Sequence, residues 1–176
     1  MTPVFMTSGD WLQAREWAAK VLDTGLEATP NYTGLAAPER FVTGYIGEIA
    51  VRKWLDWIDA AYSYRVTLNG RHNASEFLVR LPGRTAQLEV KTAAHPKALH
   101  FMMPEAQPVD ADYFIGTHIV DPGCVVLWGW LAREDVEALP VRDFGHNVPT
   151  RHRPFTTLRP LQDFGMQIGK RTTVTA

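Results

Sequence analysis

The residues best suited to chemistry in this chain are Glu89 and Lys91, in the segment Ala86-Gln87-Leu88-Glu89-Val90-Lys91-Thr92-Ala93. Side chains alternate faces along a strand, so Leu88 and Val90 are expected to enter a core while Glu89 and Lys91 project together from the other face. If Pro82-Gly83 is the two-residue tip of a hairpin, Leu81 pairs with Arg84, Leu78 with Gln87 and Glu76 with Glu89. Directly opposed side chains have Cβ atoms ~5 Å apart, where two like charges destabilise the pair. A divalent cation removes that conflict, and hard cations such as Mg2+ prefer carboxylate oxygen. A cation held by two carboxylates with a lysine beside it would place positive charge where an anionic group could bind.

Glu48 is the third carboxylate. At 3.6 residues per turn it projects within roughly 20° of Phe41 and about 60° of Tyr45, on the apolar stripe of a helix. An unpaired carboxylate there is costly, and a place beside the same cation or its water would account for it. The alternative is a flanking residue paired with Arg52 at i+4. Gly44 and Gly47 would let this helix approach another backbone closely.

Together these residues resemble the PD-(D/E)XK nuclease superfamily: a helical Glu in Gly44-Tyr45-Ile46-Gly47-Glu48, an acid opening a strand at Glu76-Phe77, and Glu-x-Lys after a hairpin at Glu89-Val90-Lys91. The spacings of 28, 13 and 2 residues are similar to those of small, resolvase-like members. The resemblance spans roughly residues 38–93. It implies an α/β fold with a restriction-endonuclease-like core, Mg2+ as cofactor with Mn2+ able to substitute, and DNA as partner. It further implies Glu76, Glu89 and the Val90 carbonyl as metal ligands, with Glu48 on a bound water or second ion. Lys91 would orient the water or stabilise developing charge. The family usually carries Asp where this chain has Glu76, which keeps a catalytically inactive, nucleic-acid- or protein-binding domain among the readings. A structure-specific nuclease acting on branched DNA, and an unrelated α+β domain with a surface Glu89–Lys91 pair, are the others.

The elements that must position these groups follow from periodicity. Helical spacing runs from Ser8 to about Asp23, and a second helix from about Glu39 to Ile58, with Pro38 suited to its first turn. Residues 29–37 read as a loop. Strands are expected at 61–68 (then an Asn69-Gly70 turn), 76–81, 85–92, 112–120 and 124–131, and a short helix at 133–139. The expected fold is one α/β domain over 1–176, with a core at about 38–139, a mixed sheet of about five strands and flanking helices. Residues 93–111 read as a proline-interrupted loop, and 140–176 give no clear pattern.

A chain of 176 residues with 45% apolar and 21% charged residues can build its own core. Cys124 is the sole cysteine, which excludes an intrachain disulfide and a zinc site needing two thiolates. No signal peptide and no membrane span are expected, and the chain reads as soluble, intracellular and cytoplasmic. Residues 1–64 carry five Lys/Arg against eight Asp/Glu, whereas residues 142–171 carry six against two, a basic flank suited to phosphate.

Gln87, His95, Lys97, Arg151 and Arg153 are the candidate nucleic-acid contacts, and His100 shares the same loop as His95. His118 reads as a satisfied core histidine, with a general base as its alternative. His146 and His152 lack ligand spacing for zinc. Trp54, Trp57, Trp128 and Trp130 are expected in the core. A homodimer is expected if two strands are cut by one site per chain, with the apolar 125–130 strand as a candidate interface.

Overall fold

A computed structural model describes residues 1–24, 36–65, 76–95, 97–145 and 147–169. The anticipated Asn69-Gly70 turn, most of the 29–37 loop, His146 and the distal basic residues Lys170 and Arg171 lie outside the described residues.

The first helix, α1, spans Ser8–Leu22. Its start is fixed by a reciprocal cap: Asp10 N–H donates to Thr7 Oγ1 at 3.3 Å, and Thr7 N–H donates to the Asp10 carboxylate at 2.7 Å. Ala14, Ala18 and Val21 form its buried face. Helix α2, Ala37–Trp57, carries Pro38 in its first turn. Ile46, Ile49, Ala50, Val51 and Leu55 have no exposed surface, so α2 is the central helix of the core.

Six strands form the main sheet: β1 (Thr2–Phe5), β2 (Tyr62–Tyr64), β3 (Phe77–Leu81), β4 (Arg84–Ala93), β6 (Tyr113–Asp121) and β7 (Cys124–Ala132). Their order is β1-β7-β6-β4-β3-β2. The β4–β6 pair is parallel and the remaining pairs are antiparallel, so the sheet is mixed. Five of the six strands are those the alternation predicts; the sixth, β1, is added at an edge. Pro3 within β1 is tolerated there because an edge strand needs donors on only one side.

The 93–111 segment is not merely a loop. It contains β5 (His100–Pro104), which pairs antiparallel with β9 (Thr150–Pro154), and β9 pairs with β8 (Val141–Arg142). This second, three-stranded sheet draws most of its residues from the segment without a readable pattern. Helix α3, Arg133–Glu137, is shorter than expected, and α4, Leu161–Gln167, adds a further helix.

The main sheet is buried on both faces. On one, α2 and α4 pack through Ile46, Ile49, Trp54 and Phe164 against Leu88, Val90 and Ile115, and α1 lies on α2. On the other, Phe101 and Met103 of the second sheet meet Phe114, Leu131 and Phe155. Trp54 and Trp130 are core residues as expected, and Trp128 stacks on Phe155 with ring centroids 5.8 Å apart. Trp57 is a correction: it is 76% exposed, because it is the last residue of α2. Among the described residues no helix is long and apolar enough to cross a membrane.

Candidate functional site

The β3–β4 hairpin has the anticipated register: Leu81 pairs with Arg84, Leu78 with Gln87 and Phe77 with Leu88. Glu76 lies one residue before β3 begins. β4 is ten residues long and β3 only five, so β4 runs past the start of its neighbour. An edge N–H left without a ladder acceptor needs a partner. The Glu76 carboxylate supplies one, accepting the Val90 N–H at 3.2 Å.

Glu89 and Lys91 share a face, as the alternation requires, and pair directly with each other. Their side chains are only 13% and 16% exposed, so this is not a solvated surface pair. A third side chain joins them. Gln107, just beyond β5, donates from Nε2 to Glu89 Oε1 at 2.8 Å and accepts from Lys91 Nζ at 2.9 Å.

Glu48 comes from the helical face of the sheet and is buried. It accepts a hydrogen bond of 2.7 Å from the Tyr64 hydroxyl of β2. Its helix can lie this close because Gly47 has no side chain: a Cβ there would fall 1.8 Å from Thr92 Oγ1 and 2.8 Å from Thr117 Oγ1. Arg52, at i+4, does not take the ion-pair role anticipated as the alternative for Glu48. Its guanidinium carbon lies 5.7 Å from the centre of the Tyr64 ring, and its Nη2 donates to Gln13.

The electrostatics tie the three carboxylates together. Burial pushes the Glu48 carboxyl up to about 8; the Tyr64 hydrogen bond opposes this, the Glu89 charge adds to it and Lys91 opposes it. Glu76 is held well above the usual carboxylate range by burial, then by the charges of Glu48 and Glu89, against Lys91. Tyr45 beside them is pushed up to about 12 by burial and by Glu48 and Glu76. Such a cluster gains most from a bound cation, which would favour the ionised forms. Its donors are all carboxylate oxygens, the set that suits Mg2+. Among the described residues no three His, Cys, Asp or Glu side chains are gathered closely enough to hold a metal ion as they stand. Each carboxylate is instead turned to its own partner: Glu48 to Tyr64, Glu76 to Val90 N–H, and Glu89 to Lys91 and Gln107.

The anticipated nucleic-acid contacts are spread differently. Gln87 is exposed two residues from Glu89 on the same strand face, and its N–H donates to Asp112. His95 and Lys97 are exposed, and the His95 ring accepts the Lys97 N–H at 3.1 Å, which shapes a local turn. Arg151 and Arg153 have internal roles. Arg151 Nη1 donates to the Glu105 carbonyl at 2.8 Å and lies 3.4 Å and 3.5 Å from those of Pro104 and Gln107. Arg153 donates to Thr157 Oγ1 at 3.1 Å. His118 is buried, with Nε2 3.1 Å from the His95 carbonyl and its ring stacked on Phe155, the arrangement of a satisfied core histidine.

Gln107 and Tyr64 are the site residues that sequence reasoning did not single out. Tyr64 lies in a predicted strand, but its partner Glu48 is set only by the packing of α2. Gln107 stands between Pro104 and Pro108, where no periodicity marks a face.

No protein-family model matches this chain, and neither characterised proteins nor solved structures show significant similarity to it.

Proposed function

We propose that this protein is a Mg2+-dependent nuclease that hydrolyses DNA phosphodiester bonds, with a restriction-endonuclease-like core formed by β2, β3, β4, β6 and β7 and a site of Glu48, Glu76, Glu89 and Lys91. The observation that carries this reading is the grouping of polar side chains on β4: Glu89 and Lys91 pair on one face, and the Glu76 carboxylate accepts the N–H of Val90 between them. Three carboxylates with mutual electrostatic influence and a lysine in contact with one of them suit anionic substrate chemistry better than they suit fold stability.

Glu76 and Glu89, with the Val90 carbonyl and Glu48, would hold the cation. Bound there, Mg2+ supplies Lewis acidity for the phosphate and lowers the pKa of water. The chain supplies the rest. Lys91, paired with Glu89, can orient the attacking water or stabilise charge developing on the phosphate. Glu48 is buried and accepts the Tyr64 hydroxyl, and burial above all raises its carboxyl. Exposed Gln87 and Lys97 are suited to contact the DNA backbone on either side.

A second reading is a domain of the same fold that binds DNA without cutting it. It is favoured by the engagement of Glu89 Oε1 with both Lys91 and Gln107, and by a Glu at position 76. Supercoiled, linear and branched duplexes in Mg2+, Mn2+ or EDTA separate the two. Metal-dependent cleavage supports the nuclease, and preference for branched duplexes would make it structure-specific. Binding with no cleavage of any substrate supports the second reading.

A further inference from the structure

Gln107 occupies an unusual position. It reaches the Glu89–Lys91 pair from the turn just beyond β5, 16 residues after Lys91, and bonds both partners with one amide. Glu89 Oε1 receives Lys91 and the Gln107 amide N–H together, so two of its acceptor directions are taken. Glu89 Oε2 takes no part in these contacts. The loop that carries Gln107 is held by Arg151, which bonds the Glu105 carbonyl and sits near those of Pro104 and Gln107. A rotatable amide is thereby fixed on a tethered loop, while Pro104 and Pro108 limit the backbone on either side.

We infer that Gln107 is a positioning residue for the metal ligand Glu89: it holds Oε1 together with Lys91, so that Oε2 alone is presented to a divalent cation, and Arg151 keeps it in place. This rests on the reading of Glu89 as a metal ligand. A carboxylate fixed by an outer partner loses less rotamer freedom on binding a cation. Partners of this kind are worth about 10–100-fold in metal affinity or activity. The sequence feature is a glutamine isolated between two prolines, whose role arises only because β5 and β9 pair across the chain.

The test is Mn2+ binding to the full chain without DNA, by titration calorimetry, on wild type, Gln107→Leu, Gln107→Asn and Glu89→Ala. Gln107→Leu keeps the side-chain volume but removes both hydrogen bonds, and its dissociation constant is expected to rise about 10-fold or more. Gln107→Asn is a methylene too short to reach both partners and should fall between Gln107→Leu and wild type. Where DNA is cleaved, Gln107→Leu should lower kcat with little change in KM. Melting temperatures identify any variant that unfolds, and in that case Gln107→Asn decides. Wild-type affinity in folded Gln107 variants, with binding still lost in Glu89→Ala, would overturn this inference and leave the metal site standing. No Mn2+ binding that depends on Glu89 would overturn both.

Discussion

The Tyr64 hydroxyl donates to Glu48 Oε2 at 2.7 Å, joining β2 to α2 at a carboxyl that burial otherwise isolates. Tyr64→Phe removes that donor and leaves the ring packing against Phe77 intact. The expected cost is about 1 kcal/mol, the net value of a typical hydrogen bond. Because the bond also lowers the Glu48 pKa, its loss should raise that pKa further. Urea unfolding of the two proteins at pH 7 measures the first effect; equal midpoints would show that the bond contributes nothing.

Two glycines of α2 separate close approach from helix propensity. A Cβ at Gly47 meets Thr92 and Thr117, whereas one at Gly44 meets nothing within 4 Å. Gly47→Ala should therefore destabilise by about 1–3 kcal/mol through overpacking. Gly44→Ala should instead stabilise, by up to about 1 kcal/mol, because alanine is the better helix former. Denaturant midpoints of both variants test this together, and a neutral Gly47→Ala would mean that α2 does not sit against β4 as described.

The pH dependence has a definite sign. Glu48 and Glu76 are both raised in the folded state, so each holds a proton that the unfolded chain has already released. Stability from this source is fully present below the ordinary carboxylate pKa and is lost as pH rises, for Glu48 through about 8. Burial sets this window for both, modified for Glu48 by Tyr64, Glu89 and Lys91 and for Glu76 by Glu48, Glu89 and Lys91. In EDTA, wild type should lose melting temperature between pH 5 and pH 9, and Glu48→Gln should lose less. For a chain of this size, each kcal/mol is worth roughly 2–4 °C. Adding Mg2+ at pH 9 should recover part of the loss, since a ligand bound only by the folded state stabilises it. Parallel pH profiles for the two proteins would show that Glu48 is not the raised group.

The parts of this fold legible in the sequence are those with local causes. Pro82-Gly83 between alternating runs fixes the hairpin register, from Leu81 opposite Arg84 to Phe77 opposite Leu88. Glu48 stood out because a charge interrupts an apolar stripe. What escaped reading depends on distant pairing. β1 is four residues with a proline inside it, and only its place at the sheet edge beside Val126 makes it a strand. β5 pairs with β9 about fifty residues later, and neither has enough length or alternation to declare itself. Gln107 inherits that difficulty, since its contacts with Glu89 and Lys91 exist only once the second sheet is in place. The intrachain bonds of Arg151 and Arg153 are likewise not readable, because they join the 150–154 strand to Glu105 and Thr157.

Cleavage of supercoiled plasmid by wild type and Lys91→Ala, each in Mg2+ and in EDTA, tests the central claim most directly. Lys91 is in contact with Glu89 and Gln107 but outside the apolar core, so its truncation should leave the protein folded. The account predicts nicking or linearisation by wild type in Mg2+, none in EDTA, and a loss of at least 100-fold in Lys91→Ala, on the order of the cost of removing one group that stabilises transition-state charge. Undiminished cleavage by folded, Mg2+-loaded Lys91→Ala would contradict it.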